Sequence, residues 1–135
     1  MRLEHIGIAV ANLEESEQLL DRLLGRGSYK RETVAEQSVT TSFYTAGSGE
    51  AKLELVAPEN GAGPIQRYLD KRGPGIHHLA FEVEDIAAEM RRLRADGFEL
   101  LQELPSVGAD NKLVCFLHPR STNGVLVEIC QSKRE

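Results

Sequence analysis

Residues 3–10, LEHIGIAV, and residues 76–83, IHHLAFEV, are two apolar segments of equal length, each with a histidine at its third position. Around His5 and His78 the side chains alternate with the period of a strand that has two different faces. Each segment is followed by an N-cap signal, Asn12 or Asp85, which opens a helical pattern. The sequence therefore describes a strand and a helix twice, 73 residues apart (78 − 5).

The repeat continues to the end of each half. Phe116 matches Phe43 at the same shift of 73 residues (116 − 43), and Glu128 matches Glu54 at a shift of 74 (128 − 54). Short strand-like runs separated by turn residues follow each helix. We therefore expect an α+β fold in which two βαβββ modules pair around a pseudo-twofold axis and form a partly closed mixed β-barrel or cleft. The expected organisation is a single domain, 1–135, with a first module 1–57, a connector 58–75 and a second module 76–131.

Helical spacing predicts which side of each helix faces its sheet. The second helix should end near Gly97, and a short helical piece, 65–69, should lie in the glycine- and proline-rich connector. The first helix should stop at Gly25, and its side facing the sheet should carry Leu13, Leu20, Leu23 and Leu24. The corresponding stripe on the second helix consists of Ile86, Met90 and Leu93.

Composition and charge narrow the class of partner. The chain of 135 residues has a net charge of −5, a pI near 5.4 and scattered basic residues, which disfavours nucleic acid and anionic membranes as partners. There is no apolar run long enough for a membrane span and no signal-peptide pattern, so we expect a cytoplasmic protein that acts on a small molecule. The two cysteines, Cys115 and Cys130, lack metal or disulfide spacing and are interpreted as reduced thiols.

One histidine and one glutamate recur at matched positions of the two modules. His5 shares its strand face with small residues, and Glu54 and Glu128 each interrupt an apolar strand, where a lone buried carboxylate would be costly. A single strand histidine is more often structural than a ligand, but the recurrence favours ligation. We expect one divalent metal, Co, Ni, Zn or Mn, held by His5, Glu54, His78 and Glu128.

Two further histidines are interpreted differently. His77 lies beside His78 but points to the opposite face of the strand, so we expect it to be structural or surface-exposed. His118 has no histidine counterpart in the first module. We interpret it as a residue that contacts either a metal ligand or the substrate.

Several segments together resemble a known family. Residues 3–10, 52–58, 75–83, 116–119 and 124–128, with 64–65 and 69–73 in the connector, resemble the vicinal oxygen chelate superfamily and, within it, the methylmalonyl-CoA epimerases. The resemblance implies ligation by the same four residues and metal-dependent epimerisation of (2R)- and (2S)-methylmalonyl-CoA through a stabilised enolate. It also implies Glu128 as a proton-transfer base, an acyl-CoA substrate and a homodimer.

The chain departs from the epimerase pattern at two positions. Glu54 stands where several epimerases have Gln, and Glu there is typical of superfamily members such as glyoxalase I. Thr41 stands where some epimerases have Glu, so the second proton-transfer group is not assigned. The alternatives are a glyoxalase I-type isomerase (lactoylglutathione lyase) or another metal-dependent enzyme of the superfamily and, less favoured, a non-catalytic small-molecule binding protein of the resistance type. Cations available for CoA phosphates are Lys71, Arg72, Lys112 and Arg120.

Overall fold

The computed structural model describes residues 1–133 and contains three helices and eight strands in that range. The helices are Leu13–Leu24 (α1), Pro64–Arg72 (α2) and Ile86–Ala95 (α3). The strands are Arg2–Ala9 (β1), Lys30–Val34 (β2), Val39–Tyr44 (β3), Lys52–Pro58 (β4), Gly75–Glu82 (β5), Ser106–Gly108 (β6), Lys112–Leu117 (β7) and Val127–Ser132 (β8).

The two halves have the same topology. In the first half β1 pairs parallel with β4, which pairs antiparallel with β3, and β3 pairs antiparallel with β2. In the second half β5 pairs parallel with β8, which pairs antiparallel with β7, and β7 pairs antiparallel with β6. The order βαβββ predicted for each half is confirmed.

The chain divides into two compact units. One unit is His5–His77, so it includes the connector helix α2. The other unit consists of Met1–Glu4 and the chain from His78 onward. Each unit has its own apolar core between a helix and the face of the sheet next to it. The first core consists of Val10, Leu13, Leu20, Tyr44, Leu55 and Ala57. The second consists of Val83, Ile86, Met90, Leu93, Cys115, Leu117 and Ile129.

Helix α1 begins and ends where its capping residues predict. The Asn12 side chain accepts a hydrogen bond from the backbone N–H of Glu15 at 3.0 Å, which satisfies a donor of the first turn. Gly25 ends the helix in the left-handed conformation, with φ of 72°, where a residue with a Cβ would be strained.

The predicted apolar stripe of α1 is wrong at one position. Leu13 and Leu20 are buried and Leu24 packs against the core, but Leu23 is 70% exposed. Ten residues of helix rotate Leu23 about 80° away from Leu13, because each residue turns the helix by about 100°. Glu17 occupies the position on the stripe that Leu23 was expected to share.

Helix α3 matches its prediction more closely. Asp85 caps it by accepting a hydrogen bond from the backbone N–H of Ala88 at 3.0 Å, and Ile86, Met90 and Leu93 are all buried. The connector helix α2 is longer than the piece predicted, because Pro64 occupies its first turn and Gly73 follows its last residue. Within residues 1–133 no helix has the length and apolar content needed to cross a membrane.

Candidate functional site

The strand registers bring a histidine and a glutamate to one face of each half. Gly7 is the register partner of Glu54 in the first half, and Ala80 is the register partner of Glu128 in the second. Each histidine precedes its small residue by two positions and therefore points to the same face as that residue. Glycine or alanine at this position places no bulky side chain between the glutamate and the imidazole, which approach within 3.3 or 3.4 Å.

In the first unit, His5 and Glu54 face each other. The distance between His5 Nε2 and Glu54 Oε1 is 3.3 Å, and both residues are only 5% exposed. Leu53 and Leu55, on either side of Glu54, belong to the core below α1, so Glu54 lies on the face of the sheet away from that helix.

The second unit repeats this arrangement. The distance between His78 Nε2 and Glu128 Oε1 is 3.4 Å, and both residues are buried. Phe116 is the register partner of Glu128, and its ring lies edge-on to the His78 imidazole with 6.3 Å between the centroids. Phe116 therefore restricts the orientation of the histidine ring, a role that the 73-residue repeat alone did not reveal.

The geometry of the two pairs fits a metal site. Two ligands that each lie about 2.1 Å from one ion are about 3.0–3.4 Å apart at tetrahedral or octahedral angles. Both His–Glu distances are in or close to this range and are longer than the usual N–H···O hydrogen bond. Imidazole nitrogen and carboxylate oxygen are also the donors that Zn, Co, Ni and Mn accept. The residues therefore fit a divalent metal.

The structure separates the roles of the other two histidines. The His77 ring lies edge-on to Tyr68 with 4.8 Å between the centroids, in agreement with the prediction that it does not share the face of His78. His118 caps a short 3₁₀ turn, where its Nδ1 accepts a hydrogen bond from the backbone N–H of Arg120 at 3.1 Å. This contact gives His118 a structural role in the turn.

Thr41 lies on the same face of the sheet as Glu54, because Phe43, two residues further along β3, is the register partner of Glu54. Thr41 is 1% exposed, and its hydroxyl donates to the backbone oxygen of Glu32 at 3.3 Å. The hydroxyl is thus engaged with the backbone, and an alcohol is in any case a poor base at neutral pH.

Both cysteines are free and completely buried. Burial raises the pKa of the Cys115 thiol to about 11, and it also raises the pKa of Cys130. Neither thiol is ionised at neutral pH, so neither is suited to act as a nucleophile.

Two of the four cations expected to be available for CoA phosphates have other partners. Lys112 is only 7% exposed, and its ammonium group contacts Ser132 at 2.9 Å and Glu82 at 3.4 Å. Arg120 makes two hydrogen bonds to the carboxylate of Glu99, at 3.0 and 2.8 Å. The expectation for Lys112 is wrong, because its charge is buried and compensated inside the second unit.

Comparisons with known proteins give a consistent set of relatives. The family model of the glyoxalase/bleomycin resistance protein/dioxygenase superfamily matches residues 4–116. An ethylmalonyl-CoA/methylmalonyl-CoA epimerase of Cereibacter sphaeroides is 39% identical over 132 residues, which cover 96% of this chain and 97% of that protein.

Solved structures of methylmalonyl-CoA epimerases are also similar to this chain. A methylmalonyl-CoA epimerase from Mycobacterium tuberculosis has a TM-score of 0.93 at 34% identity, over 98% of this chain and 89% of that chain. A variant of the Streptomyces coelicolor methylmalonyl-CoA epimerase in complex with 2-nitronate-propionyl-CoA has a TM-score of 0.91 at 30% identity, over 99% of both chains. The fold expected from the sequence is therefore confirmed.

Proposed function

The chain belongs to the glyoxalase/bleomycin resistance protein/dioxygenase superfamily, and on this basis we propose that it is an isomerase that interconverts (2R)- and (2S)-methylmalonyl-CoA. The proposal agrees with the epimerase relative at 39% identity over nearly the full length of both proteins. It also agrees with the acyl-CoA analogue bound in a structural neighbour at 30% identity. The family resemblance inferred from the sequence is confirmed.

The observation that carries the proposal is the duplicated His–Glu pair. Each unit holds one imidazole and one carboxylate, 3.3 or 3.4 Å apart, on the face of the sheet away from its core. Two such buried pairs lower the stability of the fold unless their charge is compensated, so their presence twice indicates a function.

We propose that the two pairs hold one divalent ion, so that the modules work as a single domain. The proposed ligands are His5, Glu54, His78 and Glu128, because imidazole nitrogen and carboxylate oxygen are donors that such an ion accepts. Co, Ni, Zn and Mn are all compatible with this mixed nitrogen and oxygen set. A bound ion would stabilise the negative charge that develops on the substrate as its C2 proton leaves.

The chain's own residues supply the proton transfer and the surroundings. Glu128 is proposed as the base at C2, since its carboxylate can accept a proton and lies in a buried position. Phe116, across the strand pair from Glu128, lies edge-on to the His78 ring and is proposed to restrict its orientation. The second proton carrier that epimerisation needs is not assigned, since the Thr41 hydroxyl donates to the backbone and is a poor base at neutral pH.

The activity is tested by proton exchange. With metal bound, the protein should exchange the C2 proton of methylmalonyl-CoA with deuterated solvent and interconvert the two epimers. NMR measures the exchange, and a coupled assay with an enzyme that accepts only one epimer measures the interconversion. Turnover of the glutathione adduct of methylglyoxal, with no exchange of methylmalonyl-CoA, would instead identify a glyoxalase I-type isomerase. Tight binding of small molecules without either reaction would favour the resistance-type binding protein.

The proposed base is tested by a matched pair of substitutions. Glu128→Gln should reduce the exchange rate by about 100-fold or more, since it removes the proton acceptor but keeps an oxygen donor. Thr41→Ala should change the rate far less. Metal content is measured on both variants, so that loss of the ion is distinguished from loss of the base. Equal effects of the two substitutions would contradict the assignment.

We also propose a homodimer, as the sequence resemblance implies, and a location in the cytoplasm. Sedimentation equilibrium of the metal-loaded protein should give twice the mass of the 14.9 kDa chain. A monomer at micromolar concentration would contradict the dimer. Fractionation of the source cells tests the location.

A further inference from the structure

The connector helix α2 carries a concentration of positive charge in an acidic chain. Among its nine residues are three cations, Arg67, Lys71 and Arg72, and one acid, Asp70, which give a local charge of +2 (3 − 1). The whole chain has a net charge of −5. All three cations are exposed.

These cations differ from several others in residues 1–133, whose charge is compensated by a carboxylate. In the part of the chain that the structure describes, no carboxylate forms an ion pair with Arg67, Lys71 or Arg72. By contrast, Arg31 contacts Glu14 and Glu17, and Arg92 contacts Glu89 and Asp96. Lys112 and Arg120 are also engaged, as described above.

Arg72 is held in place by an anchored aromatic residue. Its guanidinium carbon lies 5.7 Å from the centroid of the Tyr68 ring, within the range of a cation–π interaction. The Tyr68 hydroxyl donates to the backbone oxygen of Ile76 at 2.8 Å, and His77 packs edge-on against the same ring. A guanidinium fixed in this way loses less conformational entropy when it binds an anion.

The three cations share one side of the helix. At about 100° per residue, Arg67, Lys71 and Arg72 lie within an arc of about 140°. The helix is anchored by the buried Ile65 and packs against β4, the strand that carries Glu54. The first unit therefore presents a group of positive charges on a helix that packs against a strand of the proposed site.

We infer that this group, Arg67, Lys71 and Arg72, binds the phosphates of the nucleotide end of a CoA thioester. The inference rests on the proposed function, because an acyl-CoA substrate brings a diphosphate and a 3′-phosphate that need cationic partners. The pantetheine arm of CoA separates these phosphates from the thioester, so the group binds substrate without taking part in proton transfer.

The first test is binding of free CoA, measured by calorimetry. Replacing all three cations with Gln should weaken CoA binding by about 3- to 150-fold, since three exposed charge contacts are lost together. Dephospho-CoA should bind the wild-type protein more weakly than CoA does, and the variant should discriminate less between the two ligands. An unchanged Kd for CoA in a folded variant would overturn the inference.

The control is Arg22→Gln. Arg22 is the basic residue in the last turn of α1, so it has the same favourable interaction with its helix dipole that Lys71 and Arg72 have in the last turn of α2. Arg22→Gln should leave CoA binding unchanged. An equal loss of CoA affinity in this control would show a general effect of net charge and would overturn the inference.

A second substrate separates this inference from the proposed function. The triple variant should show a raised KM for methylmalonyl-CoA with unchanged kcat, and unchanged kinetics with methylmalonyl-pantetheine, which has no nucleotide phosphates. Equal losses with both thioesters would overturn the inference. If the wild-type protein turns over neither thioester, the proposed function fails, while the CoA binding experiment still decides whether the cations recognise the nucleotide phosphates.

Discussion

His77 and His78 are adjacent in sequence but have different environments. The His77 ring lies edge-on to Tyr68, whereas His78 faces Glu128 at 3.4 Å. Strand alternation accounts for the difference, because consecutive side chains point to opposite faces of a sheet. A pair of neighbouring histidines therefore provides an internal test of the proposed ligand set.

We predict that His78→Ala loses most of the bound metal and that His77→Ala retains it. Removing the imidazole of His78 takes away one of four proposed donors, while His77 is not among them. The measurement is metal stoichiometry by mass spectrometry after reconstitution and dialysis. Equal metal loss in the two variants would show that the strand face assigned to His78 is wrong.

Glu17 is a second residue whose environment decides its role. It occupies in α1 the position that Met90 occupies in α3, 73 residues later (90 − 17). Its carboxylate accepts hydrogen bonds from Arg31 and, at 2.7 Å, from the Ser42 hydroxyl. The bond from Arg31 holds the pKa of Glu17 below its usual range, although partial burial opposes this effect.

Glu17→Gln should therefore destabilise the protein at neutral pH but not in acid. A carboxyl group whose pKa is lower in the folded protein stabilises it above the unfolded pKa, near 4.3, and this stabilisation is lost as the pH falls through the folded pKa. We expect a loss of about 1–2 kcal/mol in the free energy of unfolding at pH 7 and almost none near pH 2. Urea denaturation at both pH values measures it. The exposed Glu15→Gln is the control, and a Glu17→Gln effect independent of pH would contradict this account.

At the scale of elements, the two helices show how far apolar spacing predicts packing. All three residues expected to face the sheet from α3 are buried, whereas α1 buries Leu20 and exposes Leu23. The difference arises because α1 places the charged Glu17 on its inner face. The spacing of the leucines alone therefore did not predict which of them are buried. Partners on β3, the hydroxyls of Ser42 and Tyr44, make that polar face possible.

Two leucine substitutions test this packing. Leu20→Ala should lower the free energy of unfolding by about 2–4 kcal/mol, because it creates a cavity in the core of the first unit. Leu23→Ala should change it by less than about 0.5 kcal/mol, because that side chain is mostly in solvent. Chemical denaturation measures both. Similar losses would mean that Leu23 is buried in solution.

At the scale of the whole molecule, the number of metal ions bound per chain tells whether the two His–Glu pairs act together. If the two His–Glu pairs act together, as proposed, the chain binds one ion; if each pair acts alone, it binds two. We predict one ion per chain, with chelation lowering the melting temperature, because an ion bound only by the folded protein stabilises it. Titration with Co monitored by absorbance and calorimetry gives the stoichiometry. Two equivalent ions per chain would contradict the proposal of a shared site.

The sequence by itself determined the βαβββ order of each half, the caps of α1 and α3 and the matched positions of the histidines and glutamates. These features are local or periodic, so hydrophobic alternation and capping residues specify them without any distant contact. Only the tertiary structure decided that each histidine lies 3.3 or 3.4 Å from a glutamate some 50 residues away in sequence (54 − 5 = 49; 128 − 78 = 50). It likewise decided that Lys112 is buried beside Glu82 and that Glu17 lies, partly buried, on the inner face of α1. Strand register and side-chain partners set these contacts, and both depend on residues that no local pattern connects.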